Sequence, residues 1–448
     1  MAPSFLQVHW LLPAGADRRV GWLLASRSVR GFADGFVAVL LPAYLAALGL
    51  GVVQIGVLGT LTLAGSAAAT IALGTLGHRW PRARLMSVAA LTMVATGLGF
   101  AGFASFWPLA AVAFIGTLNP SSGDVSVFLP LEHARLAHAA EGPAARTALF
   151  ARYALLGSLS AALGALASAW PAAWVAHVGG SMLSAMRAMF VLYAATGLVV
   201  AGLYRAMDRA ARVDGASPAS LSSTPSAASA SSATSSSSGS SSPSTVSNTA
   251  RAAQRVRDEP HQPLGPSRAI VVRLAALFCV DSFASGLLVN ALLALWLFHR
   301  FGLSLAEAGR FFFWSGLLTT ASQLLAPALA RRIGLVNTMV WTHLPASVCL
   351  IGAAFAPGLP LALALLFMRS ALSSMDVPAR SAFVMSVVTA PERAAAASFT
   401  AVPRSLASAA GPAVGASLLA AGFLGAPLVA CGALKLGYDL MLLAMFRR

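Results

Sequence analysis

The stretch Ser121-Ser122-Gly123-Asp124-Val125 returns 252 residues later as Ser373-Ser374-Met375-Asp376-Val377. Its surroundings return at nearly the same offset. Gly49-Leu50 recurs as Gly302-Leu303, Gly56 as Gly309, and Leu76-Gly77-His78-Arg79 as Leu329-Ala330-Arg331-Arg332. So steady an offset means one structural unit written twice. Both copies are almost wholly apolar, so the duplication belongs in a membrane. Paired helical repeats in a bilayer, with an acid at matching places, are how many carriers are built.

Composition narrows the class. Apolar residues make up 58% of the chain and charged residues 10%, and the mean hydropathy is +0.77. A soluble domain carries about a quarter of its residues charged, so the chain is read as a polytopic membrane protein. A net charge of +16 would suggest nucleic acid in a soluble chain. Here the arginines fall in short gaps between apolar runs, where they set orientation, so no nucleic-acid partner is expected. Cys279, Cys349 and Cys431 lie far apart inside apolar runs, without disulfide or metal-ligand spacing. Met1 to Asp17 has no basic region before its apolar patch and no cleavage site, so the first span is expected to act as its own insertion signal.

A membrane-crossing helix needs about 20 apolar residues, and twelve stretches qualify. In the first half they run near Val20–Ala47, Gln54–Leu76, Arg84–Ala104, Trp107–Leu131, Ala145–Trp170 and Met182–Tyr204. In the second half they run near Ala269–Leu297, Leu305–Ala330, Leu335–Ala356, Leu359–Val388, Ala394–Phe423 and Ala426–Met445. The expected fold class is therefore an all-α membrane protein, two pseudo-symmetric six-helix bundles. Its boundaries are an N-terminal segment 1–19, a first bundle 20–204, a linker 205–267 and a second bundle 268–446. Ser217–Ser247 within the linker is mostly Ser, Ala, Thr and Pro, with no apolar face, and is expected to be disordered. Arg18-Arg19, the group from His78 to Arg84, Arg135 with Arg146, the linker arginines, Arg331-Arg332, Arg393 and Arg447-Arg448 all fall on one side, and only His299-Arg300 with nearby Glu307 and Arg310 break the pattern. By the positive-inside rule both termini and the linker face the cytoplasm, in an inner (plasma) membrane.

Six plus six spans, a long central loop and a basic turn after the second span together resemble the major facilitator superfamily. That family's signature between its second and third helices is Gly-x-Leu-x-Asp-Arg-x-Gly-Arg-x-Arg. Gly74, Leu76, Arg79, Arg82 and Arg84 stand in register with it, while His78 replaces the acid and Pro81 the second glycine. The second half keeps Leu329, Arg332 and Gly334, with Arg331 at the acidic position. The resemblance implies a gating turn at these residues, and the missing acid removes the usual partner for its charges. The Gly-Pro pair that marks proton-coupled antiporters on the fifth helix is absent there. Gly411-Pro412 stands instead on the eleventh span.

Ionisable groups inside the bilayer are costly, and each asks for a reason. Asp34, Asp124, Asp281 and Asp376 fall one each on the first, fourth, seventh and tenth spans, which the resemblance places around a central cavity. Arg30 precedes Asp34 by one helical turn, so the two are expected to pair. Arg369 and Arg380 flank Asp376, which is expected to be held in an ion pair. Asp124 has no arginine close in sequence and is the expected proton carrier, since desolvation favours a neutral carboxyl and a nearby arginine a charged one. His343 is expected to be a packing histidine, and Lys435 with Asp439 a structural pair on a peripheral helix.

No Walker A sequence exists, and the single lysine, Lys435, sits in Leu-Lys-Leu, so ATP cannot drive the chain directly. No catalytic or metal-binding arrangement is specified, so no enzyme activity and no cofactor are expected beyond a proton gradient as energy source. The expected function is a monomeric secondary carrier working by alternating access, exporting a small drug-like or metabolic compound in exchange for protons. The alternatives are uptake or facilitated diffusion of a small polar or anionic metabolite drawn in by Arg30, Arg369 and Arg380, or a non-transporting receptor of the same fold.

Overall fold

A backbone that crosses hydrocarbon must satisfy its own hydrogen bonds, so long apolar runs become helices. The computed structural model describes residues 17, 19–120, 127–139, 143–215, 265–389 and 392–446, and these contain helices and connecting turns but no strand. Asp124 and the Ser217–Ser247 stretch lie outside the described residues.

The first bundle comprises α1 (Val20–Ala47), α2 (Val52–Leu76), α3 (Arg82–Gly102), α4 (Phe106–Ile115), α5 (Phe128–His138), α6 (Pro143–Leu166), α7 (Trp170–Val178) and α8 (Met182–Gly215). The second comprises α9 (Arg268–Leu287), α10 (Asn290–Phe301), α11 (Leu305–Ile333), α12 (Leu335–Ala354), α13 (Leu359–Leu372), α14 (Asp376–Val387), α15 (Arg393–Ala420) and α16 (Ala426–Phe446). Twelve passes result, because α4 with α5, α6 with α7, α9 with α10, and α13 with α14 each form one interrupted pass.

The interruptions follow the sequence. Gly116 caps α4, and Pro120 follows it in the gap before α5. Ser373, Ser374 and Met375 separate α13 from α14, so the second copy of the repeated motif is a break in a helix, with Asp376 as the first residue of the next. A negative charge in a first turn favours the positive end of the helix dipole.

Two expected boundaries move. The fourth pass does not end at Leu131 but resumes as α5 and runs to His138, which carries Glu132 into the bundle. The sixth pass does not end at Tyr204; α8 continues to Gly215, taking residues 205–215 out of the expected linker. An Arg135–Asp208 ion pair of 3.0 Å ties that extension to α5.

The bundles meet through α2 on α15, α6 on α11, and α1 on α10 and α11. Glycines let these backbones touch. A Cβ on Gly56 would lie 2.1 Å from that of Ala416 and 2.6 Å from the Pro412 carbonyl oxygen, and one on Gly309 would lie 2.5 Å from the Ala165 carbonyl oxygen. Three hydrogen bonds across the interface, Ala413 N–H to Thr60 at 2.9 Å, Ser168 hydroxyl to Leu305 carbonyl at 3.0 Å, and Ala291 N–H to Pro120 carbonyl at 3.1 Å, lie away from the arginine-rich end. Gly411-Pro412 serves this packing: Gly411 abuts Gly286 on α9, and Pro412 abuts Gly56 and Gly59 of the other bundle.

Candidate functional site

Between the bundles lies a cavity of about 330 Å³. Its walls come from α1, α6, α11, the start of α10, and the interrupted α13–α14 pass. Ser158, Ser315, Thr319, Gln323, Ser370 and the Ser373-Ser374 break give it a hydroxyl- and amide-rich surface. A helix interruption here frees backbone and small polar side chains for a ligand, which is where irregular structure is tolerated within a membrane. Two cations reach it, Arg27 from α1 and Arg369 from α13. A second recess of about 380 Å³, lined by Leu73, Leu76, Trp80, Val88 and Ile115, is apolar and lies between α2 and α3 on the flank of the first bundle. Leu76, Trp80 and Val88 are at least half exposed there, a surface suited to acyl chains.

Arg369, half-buried, differs from the buried cations Arg30, Arg380 and Lys435. No ion pair or side-chain hydrogen bond joins it to another described residue. It stands seven residues before Asp376, but the Ser373–Met375 break lies between them, and Asp376 pairs with Arg380 instead. The expected flanking of Asp376 by two arginines therefore holds for Arg380 only.

Each bundle carries a buried ion network beside the cavity. In the first, Arg30 donates to Glu132, and Asp34, one helical turn along α1, lies within electrostatic reach of the same guanidinium. The Glu132 contact is tertiary. α5 brings a fully buried carboxylate onto the same arginine, and the Tyr153 and Tyr204 hydroxyls both donate to it, the second at 2.5 Å. Ser26 adds a hydrogen bond of 3.1 Å, and the Arg30 guanidinium stacks 4.1 Å from the Phe128 ring centre. Asp34 is buried nearby.

In the second bundle, Arg380 bridges Asp376 and Asp281, the latter at 2.8 Å. Lys435 donates to the other Asp281 oxygen at 2.8 Å, and its ammonium lies 3.3 Å from His343 Nε2. His343 Nδ1 faces both carboxylate oxygens of Asp439 at 3.1 Å. Arg404 donates to Ser282 at 3.2 Å beside this chain. Lys435 and Asp439 thus meet through His343, not directly across one helical turn. The two networks exchange roles. The first pass supplies the base and the fourth the acid in one bundle, whereas the seventh supplies the acid and the tenth the base in the other.

The other expected site residues divide. Asp281 and Asp376 are buried in ion pairs inside the second bundle and do not line the cavity. Arg30 and Arg380 are likewise committed to acids. The turn residues Arg79, Arg82, Arg84, Arg332 and Gly334 are exposed, and the arginines make no ion pair among the described residues. Gly74 has open space around it, while Gly334, at φ +87°, ends α11 in a conformation that suits glycine. Sequence reasoning did not single out Glu132, Arg27 or Tyr153.

The chain matches the Major Facilitator Superfamily over residues 23–412. It is 24% identical over 434 residues to an uncharacterized membrane protein of Saccharomyces cerevisiae, YJR124C, covering 96% of this chain and 94% of the relative. Among solved structures, the inward open conformation of the xylose transporter XylE from E. coli aligns with a TM-score of 0.67 at 14% identity, covering 94% of this chain and 95% of that one. The nucleoside transporter NupG aligns with a TM-score of 0.64 at 14% identity, covering 96% and 99%. Such identities speak for the fold. With two six-pass bundles, a polar cavity between them and a family match across nearly the whole sequence, the chain belongs to the major facilitator superfamily of transporters.

Proposed function

We propose that the protein is a secondary carrier for a small, polar, anionic solute, moved by alternating access of the inter-bundle cavity. The observation that carries this reading is Arg369, a cation without an acidic partner among the described residues, set in a wall of serine and threonine hydroxyls. A half-buried guanidinium within the membrane needs a counter-charge, and a carboxylate or phosphate can accept two parallel hydrogen bonds from it. The polar wall favours this over a drug-like apolar cargo. Arg30 and Arg380, already neutralised by acids, tie helices together within their own bundles and take no part in attracting the solute.

The one-sided arginines orient both termini and the linker to the cytoplasm, so that bundles closed at the opposite end leave the cavity facing inward. Energy comes from the proton gradient. Cysteines introduced within Ser217–Ser247 should resist an impermeant thiol reagent in intact cells and react after lysis; labelling of intact cells would reverse the orientation.

The substrate class is tested on purified protein by thermal stabilisation. Succinate, citrate and phosphoenolpyruvate are compared with xylose and uridine as neutral probes. At least one anion should raise the melting temperature, and Arg369→Gln should weaken that effect by about tenfold or more, the loss of one charged hydrogen-bonded contact. Stabilisation by the neutral probes alone would overturn the anionic reading.

A further inference from the structure

The buried chain Asp439–His343–Lys435–Asp281 is more than a set of helix staples. With Lys435 as an ammonium and Asp439 as a carboxylate, its hydrogen-bond directions leave one arrangement. A lysine ammonium has only donors, and an ionised carboxylate only acceptors. His343, held between Lys435 at Nε2 and Asp439 at Nδ1, must then carry its hydrogen on Nδ1 and present a lone pair at Nε2. The ring is neutral in this state, and the Nε2 lone pair accepts from Lys435.

We propose that His343 is the proton-binding site of the carrier, and that its protonation exchanges His343 for Lys435 as the partner of Asp281. A proton arriving at Nε2 occupies the lone pair, so the hydrogen bond from Lys435 is lost and two cations face each other at 3.3 Å. Asp281 Oδ1 already lies 3.9 Å from Nε2, within reach of the new N–H. The displaced ammonium has somewhere to go. A chamber of about 120 Å³ is lined by Lys435, His343, Ser285, Ser347, Ser373 and Arg369, roomy and polar enough for water that delivers the proton.

The same chamber links the proton to the solute. Arg369 and Ser373 line both it and the inter-bundle cavity. Moving Lys435 into the chamber brings a second positive charge toward Arg369, which strengthens anion binding there. Coupling of this kind is reciprocal, so the anion in turn favours the proton. Proton and anion therefore travel together in one direction, and this part rests on the anionic reading of the cavity.

The surroundings of His343 are accounted for on every side. α16 presents Cys431, Lys435, Tyr438 and Asp439, α9 presents Asp281, α14 presents Arg380 and Asp376, and α13 presents Arg369. Arg404 on α15 acts through Ser282 on α9. α11 carries its own charges, Glu307, Arg310, Arg331 and Arg332, at exposed positions near its ends. The first bundle has no counterpart among the described residues, since tyrosines and serine complete its network around Glu132.

Lys435 is the single lysine of the chain, so lysine labelled with nitrogen-15 places one side-chain ammonium resonance in the spectrum. In the full-length protein in lipid nanodiscs, that resonance should shift in a single step as the pH is lowered, the mark of one proton binding beside Lys435. It should titrate in Arg369→Gln as well and become flat in His343→Gln. A flat wild-type resonance overturns the proposal without reference to any variant, and so does an unchanged titration in His343→Gln. Binding of succinate, citrate and phosphoenolpyruvate should tighten by about tenfold from pH 7.5 to pH 5.5 in the wild type, a usual size for coupling between two sites. That gain should vanish in His343→Gln. Anion binding equal at both pH values overturns the joint movement. Failure of every anion with a titrating lysine would instead sink the substrate reading and leave the proton site standing.

Discussion

At the residue scale, Arg30 shows how a tertiary contact adds to a local rule. Spacing on α1 puts Asp34 on its face and within its field, while Glu132 from α5 accepts its hydrogen bond, with two tyrosines and a serine completing that acid's hydrogen bonds. Removing one member of such a pair strands a buried charge, which typically costs about 3–5 kcal/mol, whereas removing both costs far less. Glu132→Gln should therefore lower the thermal stability of the purified protein much more than the double variant Arg30→Met with Glu132→Leu. Equal losses would show that the pair is not what secures α1 to α5. Gly35 is a sharper packing constraint. A Cβ there would lie 2.0 Å from the Ala161 carbonyl oxygen, so Gly35→Ala should separate α1 from α6 and destabilise by about 1–3 kcal/mol, the usual range for overpacking. Unfolding midpoints unchanged within error would contradict this. Glu132 was not legible as a site residue, because the fourth apolar run ends one residue before it and the interruption hides the continuation of the pass.

At the element scale, the interrupted passes matter more than the continuous ones. The repeated Ser-Ser-x-Asp motif marks the duplication in the sequence, and in its second copy it is a helix break that lends Ser373 and Ser374 to the cavity. A similar local device fixes the entry to α9. Glu392, just before α15, accepts hydrogen bonds from the backbone N–H groups of Gly265 at 2.5 Å and Ser267 at 3.2 Å, and from the Thr389 hydroxyl at 2.9 Å. The Ser267 side chain first, then the Gly265 N–H, hold its carboxyl below the usual glutamate range. The folded state thus binds this proton less readily than the unfolded chain does. Its stabilising contribution is full above the ordinary glutamate value of about 4.3 and is lost as pH falls through the lower folded value. Hydrogen exchange at the start of α9 should accelerate over that acid range in the wild type more than the intrinsic rate predicts. In Glu392→Gln the segment should be looser at neutral pH and show no such acid step. A step of the same size in both proteins would rule the latch out.

At the scale of the whole molecule, the bundles are joined by glycine contacts at the end away from the arginines. Gly56→Leu would drive a side chain into Ala416 and the Pro412 backbone, and should push the population toward the state open at that end. In a variant with the three native cysteines replaced and Ser315→Cys in the cavity wall, reaction with an impermeant thiol reagent applied from that end should then rise several-fold; no change would mean that this contact does not hold the gate. Twelve passes, two related halves and a basic end followed from the chain's own pattern, because hydrophobic length and arginine placement act on each segment independently of its neighbours. The acids on the first, seventh and tenth passes were visible for the same reason, as costly residues in apolar runs. Their partners were not. Which base meets which acid depends on how helices distant in sequence rotate and cross, so Glu132 for Arg30, Asp281 for Arg380 and Lys435, and His343 between Lys435 and Asp439 were decided by packing alone. That packing also left Arg369 without an acid among the described residues and turned it to the cavity, a distinction among arginines that no spacing in the sequence could draw.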